Sequence, residues 1–283
     1  MIKIRVPATT ANLGPGFDTL GLALNLYNTF SFEKSEEYDL KGFKKEYTNE
    51  NNLCLKAYKE VFKKLNKEEI KVSITLEQDI PNCGGLGSSA TVIIAGVFAA
   101  NAMLGNILSD NELINIACDI EGHPDNVIPA IIGSLVSSVK LENGECKYFK
   151  YSVNKDLYFN ILVPDFSLNT EDMRKCLPLS VSMKDAVYNI SRAVNIPYAL
   201  NKGDINDLRL LLKDKLHQDY RIKYIDNAKE VFEWCEKNNC VALISGSGAS
   251  LLVISDHTID NQFKGFELKE LKVDNNGVKI WWK

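Results

Sequence analysis

The chain has 283 residues, which is enough for one large domain or two modest domains. Hydrophobic residues make up 45% of it and charged residues 25%, the ordinary composition of a globular protein. With 33 lysines and arginines against 37 aspartates and glutamates, the formal net charge is −4. Nucleic-acid-binding proteins usually carry a basic excess, so we expect no nucleic-acid partner.

The first half of the chain predicts strands alternating with helices. The N-terminus, MIKIRV, predicts a strand, followed by a Gly/Pro-rich loop, PATTANLGPGFD, and the apolar stretch TLGLALNLYNTFSF. Apolar residues spaced four apart predict a helix over 53–65, and KVSITLEQDIP predicts a strand. A Gly/Ser loop, PNCGGLGSSA, leads into an apolar run that predicts a buried helix. NELINIACDIEGHPDN predicts a further helix, which Gly122 and Pro124 would stop.

The second half predicts two more strands and then a helical region. IIGSLVSSV and YFNILVPDF predict strands, whereas TEDMRKCL, MKDAVYNISRAVNIPYAL and INDLRLLLKDKLH predict helices separated by Pro178, Pro197 and Gly203. CVALISGSGASLLVIS predicts a strand, a Gly/Ser turn and a strand, and NNGVKIWWK predicts a terminal strand. This mixed order predicts an α+β protein with an N-terminal domain over 1–150 and a C-terminal domain over 151–283.

Cysteine usage and hydropathy bear on the compartment. The seven cysteines form no CxxC pair, and scattered cysteines in an odd number indicate free thiols in a cytoplasmic protein. The three histidines lie too far apart to suggest a local zinc motif. The longest apolar run, Ala90 to Leu104, is too short for a bilayer span, and the N-terminus reads as a strand rather than a secretory leader. We therefore expect no membrane partner.

The Gly/Ser loop has the composition of an anion site. Gly84, Gly85 and Gly87 lack a Cβ, so the backbone can adopt positive φ and approach a bulky anion closely. Ser88 and Ser89 are good N-cap residues for the helix that follows. The start of that helix offers unpaired N–H groups and the positive end of its dipole, which together suit a phosphate. A tight turn with a serine cap and no ligand would use the same residues, and spacing alone does not decide between the two.

Three stretches together resemble the GHMP kinases, the superfamily of galactokinase, homoserine kinase and mevalonate kinase. They are PATTANLGPGFD (Pro7 to Asp18), PNCGGLGSSA (Pro81 to Ala90) and ISGSGAS (Ile244 to Ser250), and their order and separation match. PATTANLGPGFD resembles the homoserine kinase branch in particular, as do EGHPDNV and LHQDYR. The resemblance implies an N-terminal domain with a left-handed βαβ crossover, a ferredoxin-like C-terminal domain and an active site in the cleft between them.

The resemblance also implies where ATP and Mg²⁺ bind. Ser89 and Glu121 would hold the metal, and Asn52 would lie near the adenine or ribose. A helix-end surface charge is the alternative for Glu121, and a plain helix cap is the alternative for Asn52. The residues that would wrap the phosphates of ATP form one continuous loop: Pro81, Asn82, Cys83, Gly84, Gly85, Leu86, Gly87, Ser88, Ser89 and Ala90.

For L-homoserine, a zwitterion with a primary alcohol, the resemblance implies a set of charged and polar residues. Arg174 and Arg221 would bind the carboxylate, because a planar guanidinium can grip it with two hydrogen bonds. Asp18 would pair with the ammonium group. Taken singly, the charged residues could be solvated or turn residues and the polar ones caps. Further hydrogen bonds to the substrate would come from Asn12, Asn126 and Thr170.

The activity implied is ATP-dependent phosphorylation of the L-homoserine hydroxyl to O-phospho-L-homoserine, a step of threonine biosynthesis. Asn126 stands where mevalonate kinase has an aspartate, so it would be catalytic together with Ser89 and Glu121 without acting as a base. The proton acceptor stays open among the phosphoryl group, Asp125 and His123.

Three points leave room for alternatives. The family usually has alanine at the position of Ser247 and proline at that of Ala249, which predicts altered loop rigidity rather than lost activity. Another small-molecule kinase of the superfamily, or a non-catalytic relative that uses the cleft as a sensor, would also carry these motifs. The resemblance allows a homodimer as well, although the sequence names no dimer surface.

Overall fold

The computed structural model describes residues 1–82 and 84–282. Its helices are α1 (Leu53–Lys64), α2 (Ser88–Met103), α3 (Asp110–Glu121), α4 (Pro124–Ile132), α5 (Thr170–Lys175), α6 (Met183–Ala193), α7 (Ile196–Lys202), α8 (Ile205–Leu211), α9 (Gln218–Arg221) and α10 (Ala228–Lys237). Its strands are β1 (Ile2–Ala11), β2 (Leu20–Lys34), β3 (Asp39–Lys41), β4 (Val72–Gln78), β5 (Leu135–Lys140), β6 (Cys146–Tyr151), β7 (Tyr158–Pro164), β8 (Val241–Ile244), β9 (Leu251–Ser255), β10 (Phe266–Leu271) and β11 (Lys279–Trp282).

The first sheet carries the N-terminal half of the site. Its strands run in the order β11-β1-β2-β4-β3, and β5 and β6 continue from β2. Helices α1 to α4 pack together, and α2 and α4 also pack against β1 and β2. The apolar residues of α2 are buried along almost its whole length, as its composition predicted. No helix within the described residues is long and apolar enough to cross a membrane.

The second sheet has four antiparallel strands in the order β10-β7-β9-β8. Counted along this half of the chain, that order is 4-1-3-2, which is the order of a ferredoxin-like sheet, as the resemblance implied. Helices α5 to α10 lie between the first and second of these strands in sequence. Residues 256–265, which join β9 to β10, contain no helix, so the usual second crossover helix is missing here.

A hydrophobic cluster joins the two sheets, and the last strand of the chain belongs to the first sheet. Leu13 and Leu22 from the first half pack in one cluster with Phe159 and Ile254 from the second sheet. Strand β11 pairs antiparallel with β1 in the first sheet, which departs from the assignment of 151–283 to the C-terminal domain alone. The division at residue 150 otherwise stays a prediction.

Most predicted elements are present, but several boundaries were wrong. Residues Pro7–Ala11 were predicted as loop and lie in β1, where they pair with β2. The predicted helix MKDAVYNISRAVNIPYAL is two helices, α6 and α7, with Pro197 in the first turn of α7. The third helix of that region ends at Leu211 rather than continuing to His217. The strand–turn–strand of β8 and β9 and the terminal strand β11 are confirmed.

Candidate active site

A cleft between the two halves of the chain collects most of the predicted site residues. Two of the residues that line it, His123 and Asp125, were predicted only as alternative proton acceptors. Gly246 and Ser247 also line it and belong to ISGSGAS, the third motif of the resemblance. The predicted binding or catalytic residues that line it are Asn12, Asp18, Gly84, Gly85, Gly87, Ser88, Ser89, Glu121, Asn126, Thr170, Arg174 and Arg221.

Four residues of the predicted phosphate loop do not line this cleft, and one more lies outside the described residues. Leu86 and Ala90 are buried in the core, and Pro81 lines neither this cleft nor the cavity beside it. Asn82 lines the neighbouring cavity. Cys83 lies outside the part of the chain that the structure describes.

The glycine loop ends in a glycine cap rather than a serine cap. Gly87 is the N-cap of α2 with φ of 65°, and Ser88 and Ser89 are the first two residues of the helix. The predicted capping role of the two serines was therefore wrong, because a left-handed cap needs no side-chain oxygen and favours glycine. The hydroxyls of Ser88 and Ser89 are left beside the cleft, where they can meet a ligand.

The third motif supports the glycine loop directly. Ser250 Oγ donates a hydrogen bond to the Gly84 carbonyl at 2.8 Å. A Cβ on Gly84 would lie 2.5 Å from the Gly248 carbonyl oxygen, and Gly84 has φ of 90°, so only glycine suits this position. ISGSGAS therefore contacts the glycine loop directly. Ser247, where the family usually has alanine, places its hydroxyl 3.3 Å from Thr170 Oγ1.

A hydroxyl and a carboxylate meet at the start of α2. Ser89 Oγ donates to Glu121 Oε2 at 2.8 Å, and Glu121 is the last residue of α3. Burial raises the pKa of the Glu121 carboxyl, although the hydrogen bond from Ser89 opposes this. No group of three or more His, Cys, Asp or Glu side chains within the described residues could hold a metal. One hydroxyl and one carboxylate nevertheless fit Mg²⁺, which keeps several waters and binds phosphate oxygens.

Next to this pair lies a short polar row at the start of α4. His123 Nδ1 lies 3.0 Å from Asp125 Oδ1, and this hydrogen bond raises the pKa of His123. Asn126 Oδ1 accepts a hydrogen bond from Thr9 Oγ1 at 2.8 Å. Asp125 and His123 both line the cleft, so both stay candidate proton acceptors.

In the same cleft, two predicted substrate residues bind each other. Arg174 donates two parallel hydrogen bonds to Asp18, at 2.8 Å and 2.9 Å. The hydrogen bonds with Asp18 raise the pKa of Arg174. Asp18 N–H donates to Asn12 Oδ1 at 3.0 Å, and Asn12 Nδ2 donates to the Gly246 carbonyl at 2.8 Å. Asn12 therefore fixes the Asp18 backbone against the third motif.

Arg221 is the buried cation of the site, with 2% of its surface exposed. Its Nε donates to the Met173 carbonyl and its NH1 to the Gly246 carbonyl, both at 3.1 Å. Burial lowers its pKa from the ordinary arginine value. The ring of Phe17 lies 5.4 Å from its Cζ and 5.6 Å from that of Arg174, so one aromatic ring contacts both guanidinium groups.

Sequence reasoning missed Phe17 as well as His217 and Asp214, which pack beneath Arg221. Phe17 belongs to PATTANLGPGFD and His217 to LHQDYR, so the signal was present in motifs that were already singled out. An aromatic or a histidine in such a motif is hard to separate from a core residue until its neighbours are known.

A second cavity adjoins the start of α2. Phe43, Tyr47 and Leu53 line it together with Asn52 and the two serines of the loop. Asn52 Oδ1 accepts from Leu55 N at 3.1 Å, and its Nδ2 donates to the Tyr47 carbonyl at 2.8 Å. The side chain therefore caps α1, as the alternative held, and a nucleotide contact by Asn52 stays a prediction.

Comparison with known proteins agrees with this geometry. The family model described as GHMP kinases N terminal domain matches residues 52–134, and the one described as GHMP kinases C terminal matches residues 198–264. The chain is 41% identical to a homoserine kinase of Clostridium botulinum (strain Kyoto / Type A2), over 99% of this chain and 98% of that protein. It is 39% identical to a homoserine kinase of Clostridium acetobutylicum, over 99% of this chain and all of that one.

Solved structures carry the same fold. A crystal structure of homoserine kinase from Cytophaga hutchinsonii superposes with a TM-score of 0.86 at 26% identity, over 99% of this chain and 97% of that one. A mevalonate kinase structure at 16% identity and a TM-score of 0.68, over 97% of this chain and 99% of that one, shares the fold alone. The predicted two-domain α+β fold is thereby confirmed. By its full-length identity to these relatives, the chain belongs to the homoserine kinases, an ATP-using branch of the GHMP kinase superfamily.

Proposed function

We propose that this protein transfers the γ-phosphoryl group of ATP to the hydroxyl of L-homoserine, giving O-phospho-L-homoserine and ADP on the route to threonine. The observation that carries the proposal is the charge pattern of the cleft. A bidentate Asp18–Arg174 pair and the buried Arg221 face the same space as the glycine loop at the start of α2. An amino-acid zwitterion and a nucleotide phosphate can therefore meet there.

Substrate binding would replace the ion pair between Asp18 and Arg174 by ion pairs with the ammonium and carboxylate groups of homoserine. In the cleft Asp18 and Arg174 neutralise each other. The ammonium group of homoserine would bind Asp18, and its carboxylate would bind Arg174 and Arg221, so that each charged group contacts one of opposite sign. Mevalonate has a carboxylate but no ammonium group, so it would draw Arg174 from Asp18 without compensation, and galactose has neither charged group. This favours an amino-acid substrate over those of other kinases of the superfamily.

The phosphate end of the reaction would rest on the glycine loop and on Ser89 and Glu121. N–H groups at the start of α2 and in the positive-φ turn would bind the phosphate oxygens. Ser89 and Glu121 would hold Mg²⁺, which when bound supplies neutralisation of phosphate charge. Asn126, held by Thr9, would position the substrate hydroxyl. A loose transition state needs little deprotonation before attack, so positioning would carry much of the rate.

The test is ADP release with Mg-ATP and a matched set of alcohols. L-Homoserine should turn over, whereas mevalonate and galactose should not. Two truncated analogues should turn over poorly: 3-aminopropan-1-ol lacks the carboxylate, and 4-hydroxybutanoate lacks the ammonium group. Turnover of another alcohol but not of homoserine would indicate a different kinase of the superfamily. ATP binding without any turnover would favour the non-catalytic sensor.

We also propose a cytoplasmic location, which free thiols support because reducing compartments keep cysteines unpaired. The cysteines that the structure describes as free are Cys54, Cys118, Cys146, Cys176, Cys235 and Cys240.

We further propose that two copies associate through the outer face of α6. Asn189 is the buried residue of this helix. Its apolar residues Met183, Val187 and Ile190 are instead exposed, followed by Val194 at helical spacing, with fractions from 55% to 79%. Leu179, which is fully exposed, and Tyr198, which is 70% exposed, extend this apolar surface. Six such side chains expose several hundred Å², on the order of the ~800 Å² per partner of a standard interface.

Replacing Val187 and Ile190 together by lysine should convert a dimer to a monomer, because two buried charges would face their own copies across a two-fold contact. Sedimentation over a range of protein concentrations measures this. The control is the double variant Ile107→Lys and Leu210→Lys, which adds the same charge at two exposed apolar positions outside α6. A monomeric wild type, or a dimer that survives the α6 variant, would remove α6 as the interface.

A further inference from the structure

Beneath Arg221 lies a buried histidine whose proton can be placed from its partners. His217 is fully buried, and its Nε2 lies 2.9 Å from the Gly14 carbonyl oxygen. A carbonyl only accepts, so Nε2 carries the proton. Its Nδ1 lies 3.3 Å from NH1 of Arg221, and a guanidinium only donates, so Nδ1 presents a lone pair. A protonated imidazole could make the first contact but not the second, so the two together require the neutral form.

The backbone that carries His217 is fixed by a buried carboxylate. Asp214 Oδ2 accepts the N–H groups of His217 and Gln218, each at 2.7 Å. Asp214 Oδ1 accepts from Asn189 Nδ2 at 2.7 Å. The centre of the Phe17 ring lies 5.3 Å from that of the imidazole. His217 therefore has a defined position as well as a defined tautomer.

The remaining hydrogen bonds of Arg221 show which of its atoms serves the cleft. Nε donates to the Met173 carbonyl, and the two hydrogens of NH1 are taken by the Gly246 carbonyl and by His217. Among the described residues NH2 has no hydrogen-bond partner, although Arg221 lines the cleft. Three fixed bonds leave the guanidinium a single orientation, in which NH2 is the group left for a ligand.

We propose that His217 is a positioning residue for substrate recognition: as a neutral acceptor it orients Arg221 so that NH2 meets the carboxylate of the amino-acid substrate. The proposal rests on the proposed function, because it takes homoserine as the ligand of Arg221. It adds a residue that touches no substrate and acts only through the arginine. The carboxylate subsite would thus be a two-layer arrangement in which Asp214 holds His217 and His217 holds Arg221.

Protonation of His217 would remove the acceptor and place a second cation against Arg221. The charged groups that act on the imidazole are Asp214, Arg221 and Asp18, and Asp214 Oδ2 lies 3.8 Å from Nε2. Burial lowers the pKa of His217 despite Asp214, so the folded protein keeps the imidazole neutral. Below about pH 6.5 the unfolded chain binds a proton that the folded chain resists. The stability from His217 is therefore complete above that pH and falls as the pH drops.

Two substitutions separate positioning from packing. His217→Leu removes the acceptor, whereas His217→Asn keeps an oxygen near the position of Nδ1. We expect the leucine variant to raise the KM for homoserine by about 10- to 100-fold, the usual effect of losing a hydrogen bond to a charged group. Its KM for ATP should change by less than about twofold. The asparagine variant should recover most of the loss.

The pH profile gives a readout that packing alone would not move. In the wild type, kcat/KM for homoserine should fall as the pH drops below 6.5 towards the lowered pKa of His217, and part of that fall should disappear in His217→Asn. His123 also titrates in the cleft and remains in every variant, so the difference between profiles isolates His217. It can be measured even if the leucine variant fails to fold.

The outcomes are distinguishable from a failure of the proposed function. Turnover of homoserine by the wild type tests the function first, and its absence would overturn both proposals. With wild-type turnover present, equal losses for homoserine and ATP in both variants would overturn the role of His217. An asparagine variant with the wild-type pH profile would do the same. A selective homoserine KM effect, rescued by asparagine, supports it.

Discussion

Replacing Glu121 by glutamine should lower kcat by at least about 100-fold and leave the melting temperature unchanged or higher. The carboxylate is the anionic partner of Ser89 at the start of α2, and an amide of the same shape offers a metal no negative charge. Burial raises the pKa of this carboxyl, which means that its charge is held at a cost to stability. An uncharged replacement removes that cost while it removes the function.

A matched substitution in the same helix controls for this. Glu112 lies in the first turn of α3 and forms a capping box with Ser109, and glutamine is also accepted at that position of a capping box. Glu112→Gln should therefore keep both the fold and the wild-type kcat. The measurement is kcat against Mg²⁺ concentration, with ATP binding followed separately in the absence of the metal. A Glu121→Gln variant with the wild-type Mg²⁺ dependence would exclude this carboxylate from the metal site.

Features set by neighbouring residues could be predicted from the sequence. The glycine loop and the buried helix that follows it lie together in the chain, so composition alone placed a possible anion site at their junction. The terminal strand and the β8–β9 hairpin were likewise predicted from apolar runs and a Gly/Ser turn. The predicted serine cap failed because Gly87 adopts the left-handed conformation, which residue preference at the next two positions does not reveal.

The first motif shows where composition misleads. Pro7 and the residues after it read as a loop, because proline and glycine usually interrupt strands. In the fold Pro7 lies past the stretch of β1 that pairs with β11, Ile2 to Arg5, and next to a shift in register against β2. At such a place a missing N–H costs little, so the strand continues.

Partners far apart in sequence could not be predicted from residue patterns. Asp18 and Arg174 are separated by 156 positions, and Asn126 and Thr9 by 117. The resemblance assigned Asp18 and Arg174 to a substrate, but only the fold shows that they bind each other. His217 became interpretable for the same reason, since its role depends on carbonyl and guanidinium partners contributed by other segments.

Replacing Arg221 by leucine should raise the KM for homoserine by a factor between about 30 and a few thousand. The KM for ATP should stay within about twofold of the wild-type value. Truncating one partner of a buried, hydrogen-bonded charge pair typically costs ~2–5 kcal/mol, which corresponds to that range. Arg174→Leu should have the smaller effect, because the Arg174 side chain is 42% exposed and water can replace part of its contact. Comparing the homoserine KM of the two variants thus shows how burial changes the effect of the same Arg→Leu substitution.

The truncated substrate identifies which group of homoserine Arg221 binds. Because 3-aminopropan-1-ol has no carboxylate, its kcat/KM should be nearly the same in the wild type and in Arg221→Leu. The preference of the wild type for homoserine over this analogue should therefore collapse in the variant. Equal losses on both substrates would mean that Arg221 supports the cleft as a whole and does not bind the carboxylate.

The stability of Arg221→Leu depends on two opposing effects. Leucine removes one hydrogen-bond donor each from the Met173 and Gly246 carbonyls, which is destabilising. It also removes a guanidinium whose pKa burial has lowered, which is stabilising. These effects oppose each other, so we expect a change of only a few degrees in melting temperature.

Arg221→Lys keeps the charge but loses the planar fork, so it should recover little of the homoserine KM. A lysine variant with wild-type KM would show that charge alone, without the orientation given by His217, recognises the substrate.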